Sequence, residues 1–191
     1  MKILLFIVEA ALIILAVDFA SGLLHWAEDT FWSEKTPVLG RWIVTPNVLH
    51  HRDGGAFIRN SWLQSSWDLM AAGLLILGTT WFLNALSWHV WLFVALGVNA
   101  NQIHKWAHLA PPGVPVCIRL LQRIHLLQSP THHAIHHRGD KNSSYCVITE
   151  VLNPLLNRVG FWRGLEWALV PVWSAPRRTD IRVRTPERVS A

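Results

Sequence analysis

The feature that most constrains this chain is its first long run. Ile3 to Leu24 forms one apolar run, interrupted by the charges of Glu9 and Asp18. As a helix that run reaches about 33 Å, enough to cross the hydrocarbon core of a bilayer. A cleaved signal peptide would have a shorter apolar core and a small-residue cleavage site. Here a polar set beginning at His25 follows directly, so the run reads as a retained span. Composition agrees: 51% of the 191 residues are hydrophobic and only 15% charged, against roughly 25% charged in soluble domains. These values exclude a disordered chain, a secreted disulfide scaffold and an ordinary cytosolic enzyme. Two cysteines, Cys117 and Cys146, cannot staple a fold and are expected to be reduced and packed. One membrane-embedded domain over 1–174 is expected, followed by a basic, disordered tail over 175–191.

Two further apolar runs follow, from about Trp67 to Leu83 and from Trp88 onward, with Asn84 to Ser87 as a turn between them. The third run turns polar at Asn99, and Pro111-Pro112 should stop it. With the N-terminus outside, Lys2 alone of the 17 Lys and Arg lies outside, so the positive-inside rule selects that orientation. The basic excess reads as a membrane orientation signal, with no nucleic-acid face. Val114 to Leu127 and Pro154 to Val170 mix apolar and charged residues and read as interfacial helices. The expected architecture is an all-α integral membrane protein with about three transmembrane helices plus interfacial amphipathic helices. Its C-terminus would be cytoplasmic, in the plasma or inner membrane if the source is bacterial.

That topology gathers ten of the 11 histidines on the cytoplasmic side, leaving His89 as an interfacial bystander. Glu9, costly inside a span, is expected to pair across helices. His104 and His108 are one helical turn apart, with Asn101 on the same face. Asp18, His25 and Asp29 share a face of the first span, within about 40° of one another. His50-His51 lies before the second span. The strongest signal is His132-His133-Ala134-Ile135-His136-His137, because four imidazoles so close repel when protonated and pack poorly. Together these predict a multi-histidine metal site on one membrane face. A single catalytic zinc needs about three protein ligands, so this many imidazoles suggests two metals, with Fe, Zn, Cu and Ni all compatible. Asp29 could ligate or orient an imidazole.

The stretches His25-Trp26-Ala27-Glu28-Asp29-Thr30, His50-His51, Asn101-Gln102-Ile103-His104-Lys105-Trp106-Ala107-His108 and Thr131-His132-His133-Ala134-Ile135-His136-His137 occur in order. With Tyr145-Cys146 and Gly160-Phe161-Trp162-Arg163, they resemble the lipid desaturase family that contains plasmanylethanolamine desaturase. That family also includes the plastid desaturase of phosphatidylglycerol acyl chains. The resemblance covers roughly residues 20 to 168. It implies a membrane di-iron enzyme that uses O2 and external electrons to desaturate a phospholipid alkyl or acyl chain near the head group. In the plasmalogen-forming members the product is a vinyl ether. His25, Asp29, His50, His51, His104, His108, His132, His133, His136 and His137 would be iron ligands or their neighbours, with His125, Asn60, Asn101 and Asp18 behind them. The electron donor, of ferredoxin or cytochrome type, would dock on the basic inner face. Vinyl-ether-forming members carry a His-Asp pair and then Glu and Asn where this chain reads Asn60-Ser61-Trp62-Leu63-Gln64-Ser65, so the substrate stays open. Alternatives are a di-iron lipid hydroxylase, a haem or metal carrier without catalysis, and a zinc-dependent membrane hydrolase.

Overall fold

A computed structural model describes residues 1–138 and 142–173; the tail expected over 175–191 lies outside them. Every regular element among the described residues is helical. α1 (Lys2–Thr30), α2 (Thr45–Arg52), α3 (Gly54–Arg59), α4 (Trp62–Phe82), α5 (Trp88–Val98) and α6 (Ala100–His108) precede α7 (Val116–Arg123), α8 (Pro130–His137), α9 (Leu152–Arg158) and α10 (Phe161–Trp173). A π-helical turn over Gly40–Val44 leads into α2. α1 and α4 both pack on α5, and α8 packs on α6.

The three expected spans differ in how they are realised. α1 is 29 residues long and, among the described residues, the one helix long and apolar enough to cross a membrane. Its burial is confined to the second half, at Val17, Asp18, Gly22, His25, Trp26, Asp29 and Thr30, while Ile3, Leu4, Leu5, Phe6 and Ile7 are exposed. α4 begins at Trp62 rather than Trp67, because Ser61 and Gln64 form a capping box whose side chains take each other's backbone N–H groups. The third run breaks at Asn99, whose amide donates to the Ala95 carbonyl at 2.8 Å and competes with the helix for that acceptor. α5 and α6 are therefore separate, and neither is long enough to span by itself. Glu9 of α1 meets His89 of α5 at 3.3 Å, so the costly carboxylate does pair across helices, and its partner is the presumed bystander.

Sequence pattern and structure also part in the second half. The amphipathic stretch over Pro154 to Val170 is not one helix: Gly160 takes φ +65° and separates α9 from α10, a conformation that L-residues adopt at a cost. Cys146 is buried, but Cys117 is exposed rather than packed.

What positions the site is an irregular segment through the core. Ser144 to Thr149 are all buried, and a buried segment without helix must find side-chain partners for its backbone. Asp18, fully buried, accepts from the Ile148 N–H at 2.8 Å and the Thr149 hydroxyl at 2.6 Å. Asn153 accepts from the Cys146 N–H at 3.0 Å and donates to its carbonyl at 2.7 Å, as does Gln128 at 2.7 Å. Gly22 lets α1 approach: a Cβ there would lie 2.6 Å from Cys146 Sγ. Around this segment, Trp26, Tyr145, Cys146 and Trp162 form one core cluster, and Val17, Ala100, Ile103, Val147 and Ile148 another.

Candidate metal centre

The histidines converge from four helices into two adjacent groups. One is His50, His104, His108, His133 and His137; the other is His25, Asp29, His51 and His136, and within each the donor atoms lie within 4.8 Å of one another. Helical geometry divides them. His133 and His137, one turn apart on α8, face the first group, while His136 between them turns to the second; on α2, His50 and His51 split the same way. The groups touch, with the His25 and His104 rings 5.5 Å apart and His51 and His137 5.0 Å apart.

Hydrogen bonding identifies the free lone pairs. His25 Nδ1 lies 3.2 Å from the Tyr145 carbonyl and His136 Nδ1 2.8 Å from that of Ser143. A carbonyl only accepts, so both Nδ1 atoms carry a proton, which leaves Nε2 as the nitrogen through which either ring could ligate a metal. Those Nε2 atoms are buried without a hydrogen bond, as is Asp29 Oδ2, which faces them at 3.7 and 3.3 Å. Asp29 Oδ1 is held by Asn47 Nδ2 at 2.7 Å and lies 2.9 Å from His51 Nε2. In the first group, His133 Nε2 sits 2.9 Å from the Nε2 atoms of His104, His108 and His137. One ring nitrogen holds either a proton or a lone pair in its plane, so it cannot make three such hydrogen bonds. Both nitrogens of His50 are buried without a partner. Converging, unsatisfied imidazole nitrogens at this burial fit a metal ion far better than a packed core.

The protonation states agree with that fit. Burial first, then the neighbouring imidazoles, hold His50, His133 and His137 below the ordinary histidine range, so these rings are neutral donors at neutral pH. The first group, all imidazole, is charge-neutral; the second carries one carboxylate. Both suit a divalent metal of the Fe, Zn, Cu or Ni kind.

The remaining predicted residues lie outside the two groups. His132 faces Glu150 at 3.9 Å and Asn153 at 3.4 Å. His125 is exposed and pairs with the same Glu150, whose carboxylate also receives the Ser129 N–H at 2.9 Å and the Ser129 hydroxyl. Burial pushes that carboxyl up, but the hydrogen bonds from Ser129 and His125 outweigh it and hold it below its ordinary value. Ser129 in turn caps α8 by accepting from His132 N–H. Asp18 does not join His25 and Asp29, because it is spent on Ile148 and Thr149. Asn101 donates to the Ser65 carbonyl. Asn47 was missed by sequence reasoning, although its place four residues before His51 puts both on one helical face.

A cavity of about 460 Å³ opens beside the first group, with His50 and His104 in its wall. Phe57 lines it and covers the imidazoles, its ring 4.9 Å from His50 and 5.1 Å from His104. Asn60, Gln64 and Ser65 also line it. The stretch that departs from the vinyl-ether-forming pattern is thus cavity wall, and the five-histidine group contains none of it.

The sequence pattern of the lipid desaturase domain family matches residues 13–180. The chain is 33% identical to a plasmanylethanolamine desaturase of Myxococcus xanthus over 87% of its own length and 62% of the relative's. It is 34% identical to plasmanylethanolamine desaturase 1 of Mus musculus over 80% of its length and 60% of that protein's. A probable fatty acid desaturase of Acanthamoeba polyphaga mimivirus is 33% identical over 78% of this chain and 74% of the viral one. The chain therefore spans about three-fifths of the two plasmanylethanolamine desaturases. No solved structure matches it. With a match over most of the chain and a histidine core that the motifs build in order, this protein belongs to the lipid desaturase domain family.

Proposed function

We propose that the chain is a membrane di-iron desaturase that introduces a double bond into a phospholipid alkyl or acyl chain near its head group. By analogy with the plasmanylethanolamine desaturases that it resembles, the reading extends to a vinyl ether made from an alkyl ether. The observation that carries it is the pair of adjacent donor groups beside a cavity walled by His50 and His104.

His50, His104, His108, His133 and His137 would hold one iron, and His25, Asp29, His51 and His136 the other. Bound there, iron supplies the activation of dioxygen. The carbonyls of Ser143 and Tyr145 hold His136 and His25 in the tautomer that keeps Nε2 available. Asn47 keeps the Asp29 carboxylate aimed inward. Phe57 and the burial of the imidazoles exclude water, while the cavity positions the chain against the first group. The overall balance removes two hydrogens from the lipid. Dioxygen takes up four electrons, two from the C–H bonds and two from an external carrier, and leaves as water.

Membrane embedding rests on the apolar, exposed first half of α1 and on Leu74, Leu75, Trp81 and Phe82, exposed on α4. The positive-inside count favours an outside N-terminus and a cytoplasmic histidine face. The test is expression in a host lacking the lipid product, with lipid mass spectrometry and metal analysis of the purified protein. A lipid lighter by two hydrogens and about two irons per chain are expected, by the donor count of two sites. A product heavier by one oxygen would make the enzyme a hydroxylase, and a Soret band in place of non-haem iron would make it a haem protein.

A further inference from the structure

The two donor groups differ in what reaches them. Among the described residues, the cavity is walled by donors of the first group and by none of the second. All four residues of the second group are buried. A separate recess of about 300 Å³ lies where Asn142 and Ser143 meet the corner between α9 and α10, with Asn157, Trp162 and Arg163 also in its wall.

Two short routes run inward from that recess. Trp162, 2% exposed, meets the ring of the fully buried Tyr145 edge-on, with centroids 4.9 Å apart. Tyr145 in turn stands 5.1 Å from the His136 ring and 5.9 Å from His25. Beside it, Ser143 offers its carbonyl to His136 Nδ1 at 2.8 Å, so a single hydrogen bond joins the recess wall to a donor of the second group. Aromatic packing alone would account for buried rings. It would not lead them from a surface recess to two donor imidazoles, nor leave the Trp162 indole N–H buried without a partner.

We propose that this recess is the docking site of an acidic one-electron carrier protein, and that Trp162, Tyr145 and the Ser143–His136 hydrogen bond form the electron inlet to the His25–Asp29–His51–His136 group. The inference rests on the desaturase reading, because only a redox centre needs an inlet. Electron tunnelling decays more slowly through packed rings and hydrogen bonds than across gaps, and here no link is longer than adjacent rings. In each transfer the carrier is oxidised by one electron and the metal group is reduced by one; the rings end unchanged. Two transfers and two protons complete the balance given above. The carrier's charge follows from the rim. Arg163, in the recess wall, is fixed by the Asn142 carbonyl at 3.1 Å and pairs with Glu166, while Arg158, next to Asn157, is exposed and has no ion pair among the described residues. Such a surface steers an acidic partner.

The test uses the iron-loaded full chain in nanodiscs without lipid substrate and a reduced plant-type ferredoxin as carrier. Binding is measured by surface plasmon resonance and metal reduction by anaerobic stopped-flow absorbance. Arg158→Glu with Arg163→Gln is expected to weaken ferredoxin binding about tenfold at low salt and to flatten its salt dependence. Trp162→Leu is expected to slow reduction by ferredoxin severalfold, with reduction by dithionite and a small mediator unchanged. Trp162→Phe, which keeps a ring, should recover most of the rate and controls for folding. Unchanged binding in the double variant, or wild-type reduction in a folded Trp162→Leu, overturns the proposal. If ferredoxin reduces the metal through this route but no lipid is desaturated, the desaturase reading fails and the inlet stands.

Discussion

His133 Nε2, in contact with three other Nε2 atoms at 2.9 Å, is the residue-scale signature of this protein. A folded chain leaves such nitrogens facing one another only where something other than a proton satisfies them. His133→Ala and His136→Ala, which touch different groups, are each expected to abolish turnover and to lower bound iron, read by metal analysis. His132→Ala should leave iron content close to wild type, because that ring faces Glu150 and Asn153. Asp18 illustrates the opposite case: a buried carboxylate on the same face as His25 that serves the fold. Asp18→Ala strands the Ile148 N–H and the Thr149 hydroxyl, at about 1–3 kcal/mol for each donor left buried. Chemical denaturation should show that loss even in metal-free protein.

At the scale of elements, α6 does two things at once. His104 and His108 face the metal groups, and Lys105 between them, 3% exposed, reaches the other way. Its ammonium donates to the carbonyls of Asn60 at 2.7 Å and Ser61 at 3.2 Å, where α3 ends and α4 begins. That junction is cavity wall. Lys105→Met keeps the stem but removes the charged donors. It is expected to raise KM for lipid more than it lowers kcat, with iron content unchanged and faster amide exchange over residues 54–66. α1 is equally dependent on contact. Gly22→Ala would push a methyl against Cys146 Sγ, an overpacking worth about 1–3 kcal/mol, visible as a lower melting temperature.

For the whole molecule, the neutral imidazoles make stability depend on pH. His50, His133 and His137 have folded pKa values below the ordinary one, so below about pH 6.5 the unfolded chain binds more protons than the folded one. Stability of the metal-free protein is therefore present above that pH and lost as pH falls through it. Bound metal adds to the same trend, since protons compete for the ligand nitrogens. Thermal melts from pH 8 to 5, with and without chelator, should show a falling transition in both series and a lower one with chelator. A flat profile in both would contradict the neutral, converging imidazoles.

How far the sequence carried can be seen residue by residue. The apolar first helix, the one-turn spacing of His104 and His108, the four-histidine stretch of α8 and the cross-helix pairing of Glu9 were all legible, because each is local periodicity or the cost of a charge in an apolar run. The family resemblance was legible for the same reason, as motifs in order. Only the tertiary structure decided which donors share a group: adjacent residues such as His50 and His51 go to different groups, and Asp29 joins His136, 107 positions away by number. Equally invisible were the buried path of Ser144 to Thr149 and the breaks at Asn99 and Gly160. The physical reason is common to all of these. A helical period sets which face a side chain takes, but which faces meet depends on how helices far apart in sequence satisfy one another's buried polar groups.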